Sequence, residues 1–170
     1  MRKTLTLLFV FSSFICFAQN YNEQLSPILS YSQENFDSDT CCWHRLSADK
    51  KYLEAANLIV FYLQTDKAIN KHSLNWHCGQ MFAMANYNKL AKKHFKRTYS
   101  IFYKWFGDTD AKTWYYYAKG TIAFIDNDKK KLEAIIRTWK NKYPSDNNLE
   151  TLIRLNKNWG ASYEQAYRIF

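Results

Sequence analysis

Residues 73–97 read SLNWHCGQMFAMANYNKLAKKHFKR, and their spacing decides the fold. Leu74, Trp76, Met81, Phe82 and Ala85 supply the apolar residues of one predicted helix. Asn86-Tyr87-Asn88 interrupts that run, and Leu90, Ala91 and Phe95 open a second one, continued by Tyr99, Phe102 and Phe106. Asn70 or Ser73 is placed to cap the first helix, and Gly107 to cap the end of the second. Two antiparallel helices joined by a short polar turn are the unit this stretch predicts.

The same grammar extends in both directions. Toward the C-terminus, Asp108 to Asp110 cap a helix carrying Trp114, Tyr117, Ile122 and Ile125, and Asp126-Asn127-Asp128 makes a turn. Asp128 caps a helix with Leu132, Ile135, Ile136 and Trp139, which Pro144 ends. Ser145 or Asp146 caps another, with Leu149, Leu152, Ile153 and Leu155, stopped by Gly160 before a last short helix from Tyr163 to Phe170. Toward the N-terminus, Ser47 or Asp49 caps a helix to Gln64 with Tyr52, Ala55, Ala56, Ile59, Val60 and Leu63 on one face. Residues 19–46 are the least regular, with one short helix expected from Glu23 to Gln33 and a loop at Asp37-Ser38-Asp39-Thr40. No segment alternates with period two, so the expected class is all-α, stacked antiparallel pairs of about six to eight helices.

Shifting the sequence by 41 residues pairs Gly79 with Gly120, Met81 with Ile122, Asn86 with Asn127, Lys89 with Lys130, Ala91 with Leu132 and Phe95 with Ile136. Small residues such as Gly79, Ala91 and Gly120 allow paired helices to approach, and large ones such as Phe95 fill the next layer. An isolated pair cannot bury its apolar face, so stacked pairs make the core. On Gly79, Phe82, Tyr87, Ala91 and Phe95, residues 47–143 resemble the tetratricopeptide repeat and its looser relatives. The resemblance implies a right-handed array whose first helices line a concave binding face. That would place Trp76, Gln80, Met84, Trp114, Tyr117 and Thr121 in a groove for a peptide or partner protein. The alternative for the same rings is that they fill the core.

The first residues carry a different message. Arg2 and Lys3 precede an apolar stretch from Leu5 to Phe17, and Cys16-Phe17-Ala18 ends it with a small residue at each position a signal peptidase reads. At roughly 13 residues the stretch is short of the about 20 needed to span a bilayer. The expectation is a leader at residues 1–18 cleaved after Ala18, an irregular segment at 19–46, and a helical domain at 47–170 that is periplasmic or secreted, with no membrane span in the mature chain. With 13 Tyr, 12 Phe and 6 Trp against 4 Gly and 2 Pro, the chain has the composition of a packed core rather than a disordered segment. Cleavage would remove two of the formal +9 charges, leaving a basic protein suited to acidic partners.

Candidate sites follow from side-chain chemistry. Export makes a disulfide available, and Cys41, Cys42 and Cys78 remain after cleavage. Adjacent cysteines seldom bridge, so a bond from Cys41 or Cys42 to Cys78 is one reading and three reduced, buried thiols the other. Cys41, Cys42, His44, His77 and Cys78 also supply zinc-ligand types, but adjacent ligands do not reach one ion comfortably, and no metal or other cofactor is expected. His72, His77 and His94 accompany no nucleophile motif, His94 lies in a solvated basic run, and Asp108, Asp110, Asp126 and Asp128 sit where helix caps belong. No catalytic residue is therefore assigned. Lys89, Lys92, Lys93, Lys96 and Arg97, with Lys129, Lys130 and Lys131, form a basic stripe for an acidic protein or other anionic surface; export argues against nucleic acid. The function expected is an exported helical protein–protein interaction module without intrinsic catalysis. Its rivals are an exported inhibitor or immunity-type protein for one enzyme, and a cell-envelope hydrolase.

Overall fold

Three helix-to-helix turns of one geometry set the course of the chain in the computed structural model, which describes residues 27–168. Lys50, Asn86 and Asn127 each adopt a left-handed backbone, with φ of 59°, 63° and 58°. Tyr87 N–H donates to Phe82 O and Asn86 N–H to Ala83 O, and Asp128 to Ala123 and Asn127 to Phe124 repeat the pattern 41 residues on. Lys51 to Leu46 and Lys50 to Ser47 make the same pair of bonds. Each turn satisfies the last carbonyls of one helix while reversing the chain into the next.

After a helical turn at residues 27–29, the helices are α1 (Gln33–Phe36), α2 (Cys42–Ala48), α3 (Tyr52–Tyr62), α4 (Lys71–Met84) and α5 (Asn88–Phe95). A 3-10 turn (Lys96–Thr98) leads to α6 (Ile101–Phe106), α7 (Thr109–Ile125), α8 (Lys129–Lys142), α9 (Asn147–Lys157) and α10 (Tyr163–Arg168). The class is all-α, with no strand among the described residues. The expected leader, its cleavage point and the start of the 19–46 segment lie outside the described residues.

Among the described residues, the ten α-helices and 3-10 turn named above exceed the six to eight expected, for two local reasons. The helix read from Leu90 to Phe106 is broken: Thr98 Oγ1 donates to Phe95 O at 2.8 Å, and Tyr99 is extended at φ −147°. Ser100 then caps α6, its Oγ accepting from Phe102 N–H at 3.2 Å. In addition, the segment read as irregular contains α1 and α2, and the helix expected from Glu23 to Gln33 is interrupted before Gln33. Phe36 stacks on Tyr62 with ring centroids 3.8 Å apart, and Trp43 Nε1 donates to Asp37 Oδ1 at 2.9 Å. Those two buried rings tie the segment to the core.

Caps account for most helix starts. Asn70, Asp108, Asp128 and Asp146 accept from Ser73, Ala111, Lys131 and Asn148 N–H at 3.0, 2.8, 3.1 and 2.8 Å. The start of α3 is different: Ser47 belongs to α2, and Lys51 precedes α3 without a side-chain cap. Gly107 ends α6 in an extended rather than left-handed conformation; a Cβ there would lie 2.6 Å from Tyr103 O.

Packing runs α2 on α3, α3 on α4, α4 on α5, then α7 on α8, with α9 across both α7 and α8. Gly79 gives α5 its close approach, since a Cβ would meet the Phe95 ring at 2.6 Å. Gly120 does something else. Its Cβ would meet Leu152 of α9 at 2.2 Å, so it admits the following helix rather than its own partner α8. The chain then closes on itself: α10 packs on α4, and Tyr52 Oη donates to Glu164 Oε1 at 2.6 Å across 112 positions.

Candidate functional site

Helix α9 packs on α7, and α10 on α4. Of the six residues assigned to the concave face, Trp76, Gln80, Met84, Tyr117 and Thr121 are buried and Trp114 is half-buried. Met84 and Thr121 are buried and do not line the opening that the other four share. The other four still meet at solvent, in a cleft of about 410 Å³ between α4, α7, α9 and α10.

Aromatic rings build its walls. Trp76 lies 4.8 Å from Trp114 and 4.7 Å from Tyr117 between centroids, with Phe95 behind it at 4.7 Å. One carbonyl fixes two of the rim groups: Trp114 Nε1 donates to Thr98 O at 2.8 Å, and His72 Nε2 lies 2.7 Å from the same oxygen. On the other wall, His77 Nδ1 pairs with Gln80 Oε1 at 3.2 Å, and Trp43 stacks on His77 at 4.9 Å. Burial first holds the His77 imidazole below its ordinary pKa, so it sits neutral, with a polar edge toward the cleft. Asn148 of α9, Tyr167 of α10 and Ser73 complete the lining. Rigid rings with a few convergent amides and hydroxyls are the usual make-up of a recognition site. Asn148 and Tyr167 were not legible as site residues, because nothing local marks them; only closure of the fold brings them to α4.

A larger cleft, about 630 Å³, lies between the 27–31 turn, α2 and α3. Arg45 and Lys51 face Asp49 and Glu54 there, beside the Cys41–Cys42 pair. Cys41 and Cys42 bridge each other, which corrects both sequence readings, the bond to Cys78 and the three reduced thiols, and the expectation that adjacent cysteines do not pair. Cys78 sits on α4, buried, with its Sγ donating to Ala56 O at 3.6 Å, and burial pushes its thiol up to about 12. His44 and His77 flank Trp43 with ring centroids 6.5 Å apart, and no three metal-ligating side chains converge among the described residues.

The basic stripe divides. Lys92 pairs with Asp126 and ties α5 to the turn before α8, while Lys89, Lys93, Arg97, Lys129 and Lys130 are exposed. Lys96 and Lys131 come together with Lys104 and Lys119, two residues outside the sequence-read stripe; burial and these three lysines lower the Lys119 pKa.

His94 is buried rather than solvated, with Nδ1 2.9 Å from Asn75 Oδ1. Burial, then Arg97 and Lys93, hold its pKa down to about 4 against an ordinary 6.5. The unfolded imidazole therefore takes up a proton first as pH falls. The contribution of this group to stability is complete above about pH 6.5 and is lost as pH falls toward 4. Urea midpoints at pH 7.5 and 5 measure the decline, and His94→Gln reduces the difference between them.

Comparison with protein-family models, with curated proteins and with solved structures finds no match. No relative therefore lends the cleft a function.

Proposed function

We propose that this chain is a helical interaction module that binds a short segment of another protein in the α4–α7–α9–α10 cleft and performs no chemistry on it. The observation that carries this is the convergence of Trp76, Trp114, Tyr117 and Tyr167 with Gln80, Ser73 and Asn148 at one opening. Aromatic rings offer large contact area at low conformational cost, and the amides and hydroxyl match a peptide backbone. The volume suits two or three residues of an extended partner.

Three sequence features belong to the same reading: the tetratricopeptide-like pairing of helices, the basic charge, and the leader that would place the protein outside the cytoplasm. The paired carboxylates that a hydrolase would recruit have other roles, since Asp108 and Asp128 cap helices and Asp126 pairs with Lys92. A scaffold binds several segments at micromolar affinity, whereas an inhibitor of one enzyme forms a tight one-to-one complex; stoichiometry separates the two.

Panning a displayed peptide library on the purified protein tests the proposal. Enriched peptides should bind Asn148→Arg at least ten-fold more weakly, because a guanidinium then stands in the opening. Asn148 is half-buried, and its side chain makes no bond that holds the fold. The melting temperature should therefore stay within a few degrees. Peptides that bind the variant equally well would place recognition elsewhere.

A further inference from the structure

Helix α6, Ile101-Phe102-Tyr103-Lys104-Trp105-Phe106, buries none of its residues. Ile101, Phe102, Trp105 and Phe106 are 51, 65, 65 and 82 % exposed. Spaced at i, i+1, i+4 and i+5, they occupy one face of the helix, and Phe102 and Phe106 stack at 6.3 Å. With each ring worth roughly 150–250 Å², the face presents on the order of 500 Å² of apolar surface. That is near the upper end of the largest patch on an ordinary monomer.

The surroundings are cationic. Lys104 Nζ lies 4.9 Å from the Trp105 ring and Lys119 Nζ 5.9 Å from the Tyr99 ring. Lys96 and Lys131 stand close enough to Lys119 to disfavour its charge. Among the described residues no acidic side chain forms a salt bridge with any of these four lysines. Asp108 and Asp110 follow at the far end, where Asp108 caps α7.

Charge and area select the occupant. A second copy would bring the same lysines against these, which opposes self-association. A stable protein interface needs about 800 Å² on each side, more than this face supplies. An anionic lipid surface asks for less: apolar side chains seated at the headgroup level, an indole at the boundary, and lysines beside them. At six residues α6 is about 9 Å long, enough to lie in the interface and far too short to cross it; no described helix is long and apolar enough to cross a membrane.

We infer that α6 and its lysine collar dock the protein on an anionic bilayer surface, with Phe102, Trp105 and Phe106 seated among the headgroups and Lys96, Lys104, Lys119 and Lys131 facing the lipid phosphates. This site is separate from the cleft and stands whether or not the cleft binds a peptide.

Sedimentation of the full chain with vesicles of one part phosphatidylglycerol to three of phosphatidylcholine tests it, paired with hydrogen exchange on the bound protein. The expected result is slowed exchange across residues 99–107 and loss of most binding at 0.5 M salt. Phe102→Ser/Phe106→Ser should lower the vesicle partition constant at least ten-fold, and Lys104→Ala/Lys119→Ala about as much. The exchange readout distinguishes α6 from the apolar N-terminal stretch and needs no variant. Vesicle binding that leaves residues 99–107 exchanging at the free rate, or that the double serine variant retains, overturns the inference. So does an absence of binding to anionic vesicles, in which case an acidic protein becomes the occupant to seek.

Discussion

Trp139→Ala lowers the unfolding free energy by about 3–5 kcal/mol, the cost of removing a large ring from a fully packed site. Trp139 of α8 is completely buried, with ring centroids 6.2 Å from Tyr116 and 6.4 Å from Tyr117. Leu132 is the one other buried residue of α8. The same substitution removes the support behind Tyr117, so the cleft should lose its peptide even under conditions where the variant folds. Trp139→Phe separates size from polarity. The indole N–H is buried without a hydrogen-bond partner, and a phenyl ring keeps most of the packing while removing that unmet donor. It should cost less than about 1.5 kcal/mol. Urea denaturation of both variants measures the difference, and equal losses would mean that shape complementarity, not ring burial, dominates at this position.

Phe95→Ala is expected to be as damaging, again about 3–5 kcal/mol, and it carries a specific coupling. The Phe95 ring fills the space above Gly79, where an added Cβ would stand 2.6 Å from two ring carbons. Gly79→Ala alone therefore forces a fully buried aromatic ring to move, a cost of about 1–3 kcal/mol that outweighs the roughly 1 kcal/mol gained in helix propensity. In the Phe95→Ala background the clash is gone, and Gly79→Ala should become neutral or stabilising. A double-mutant cycle by urea denaturation reads this as a coupling of at least about 1 kcal/mol. Additive losses would show that Gly79 is not what lets α5 approach α4.

What was legible in the sequence follows from how local each determinant is. Asn70, Asp108, Asp128 and Asp146 act on amides two or three residues away, so their caps could be read directly. Asn86 and Asn127 mark left-handed turns for the same reason. Lys50 takes the same conformation without an asparagine or glycine to announce it. The split at Tyr99 was missed because Leu90, Ala91, Phe95, Tyr99, Phe102 and Phe106 keep helical spacing through the break. The signals present were Thr98 and Ser100, which bond back to or cap the flanking turns, and the crowding of α6, where five of six residues are apolar or aromatic and one buried face cannot take them all.

The cleft was legible in part. Trp76, Gln80, Trp114 and Tyr117 were placed together by the tetratricopeptide resemblance, which puts the first helices of successive units on one face, and the structure brings them to one opening. The same resemblance assigned Met84 and Thr121 to that face, and neither lines the opening. The vicinal pairing of Cys41 with Cys42 was also illegible, since a residue's reach to Cys78 depends on a tertiary path that Trp43, not a cysteine, completes.

The central claim is that the aromatic cleft is the recognition site. Titration of the labelled protein with a peptide enriched by panning, followed by side-chain amide and indole resonances, tests it most directly. The account predicts saturable shifts of the Gln80 and Asn148 amides and the Trp76 and Trp114 indoles, all lost in Asn148→Arg. Shifts that gather instead around Arg45, Glu54 and the Cys41–Cys42 pair, with the cleft resonances unmoved, would contradict it.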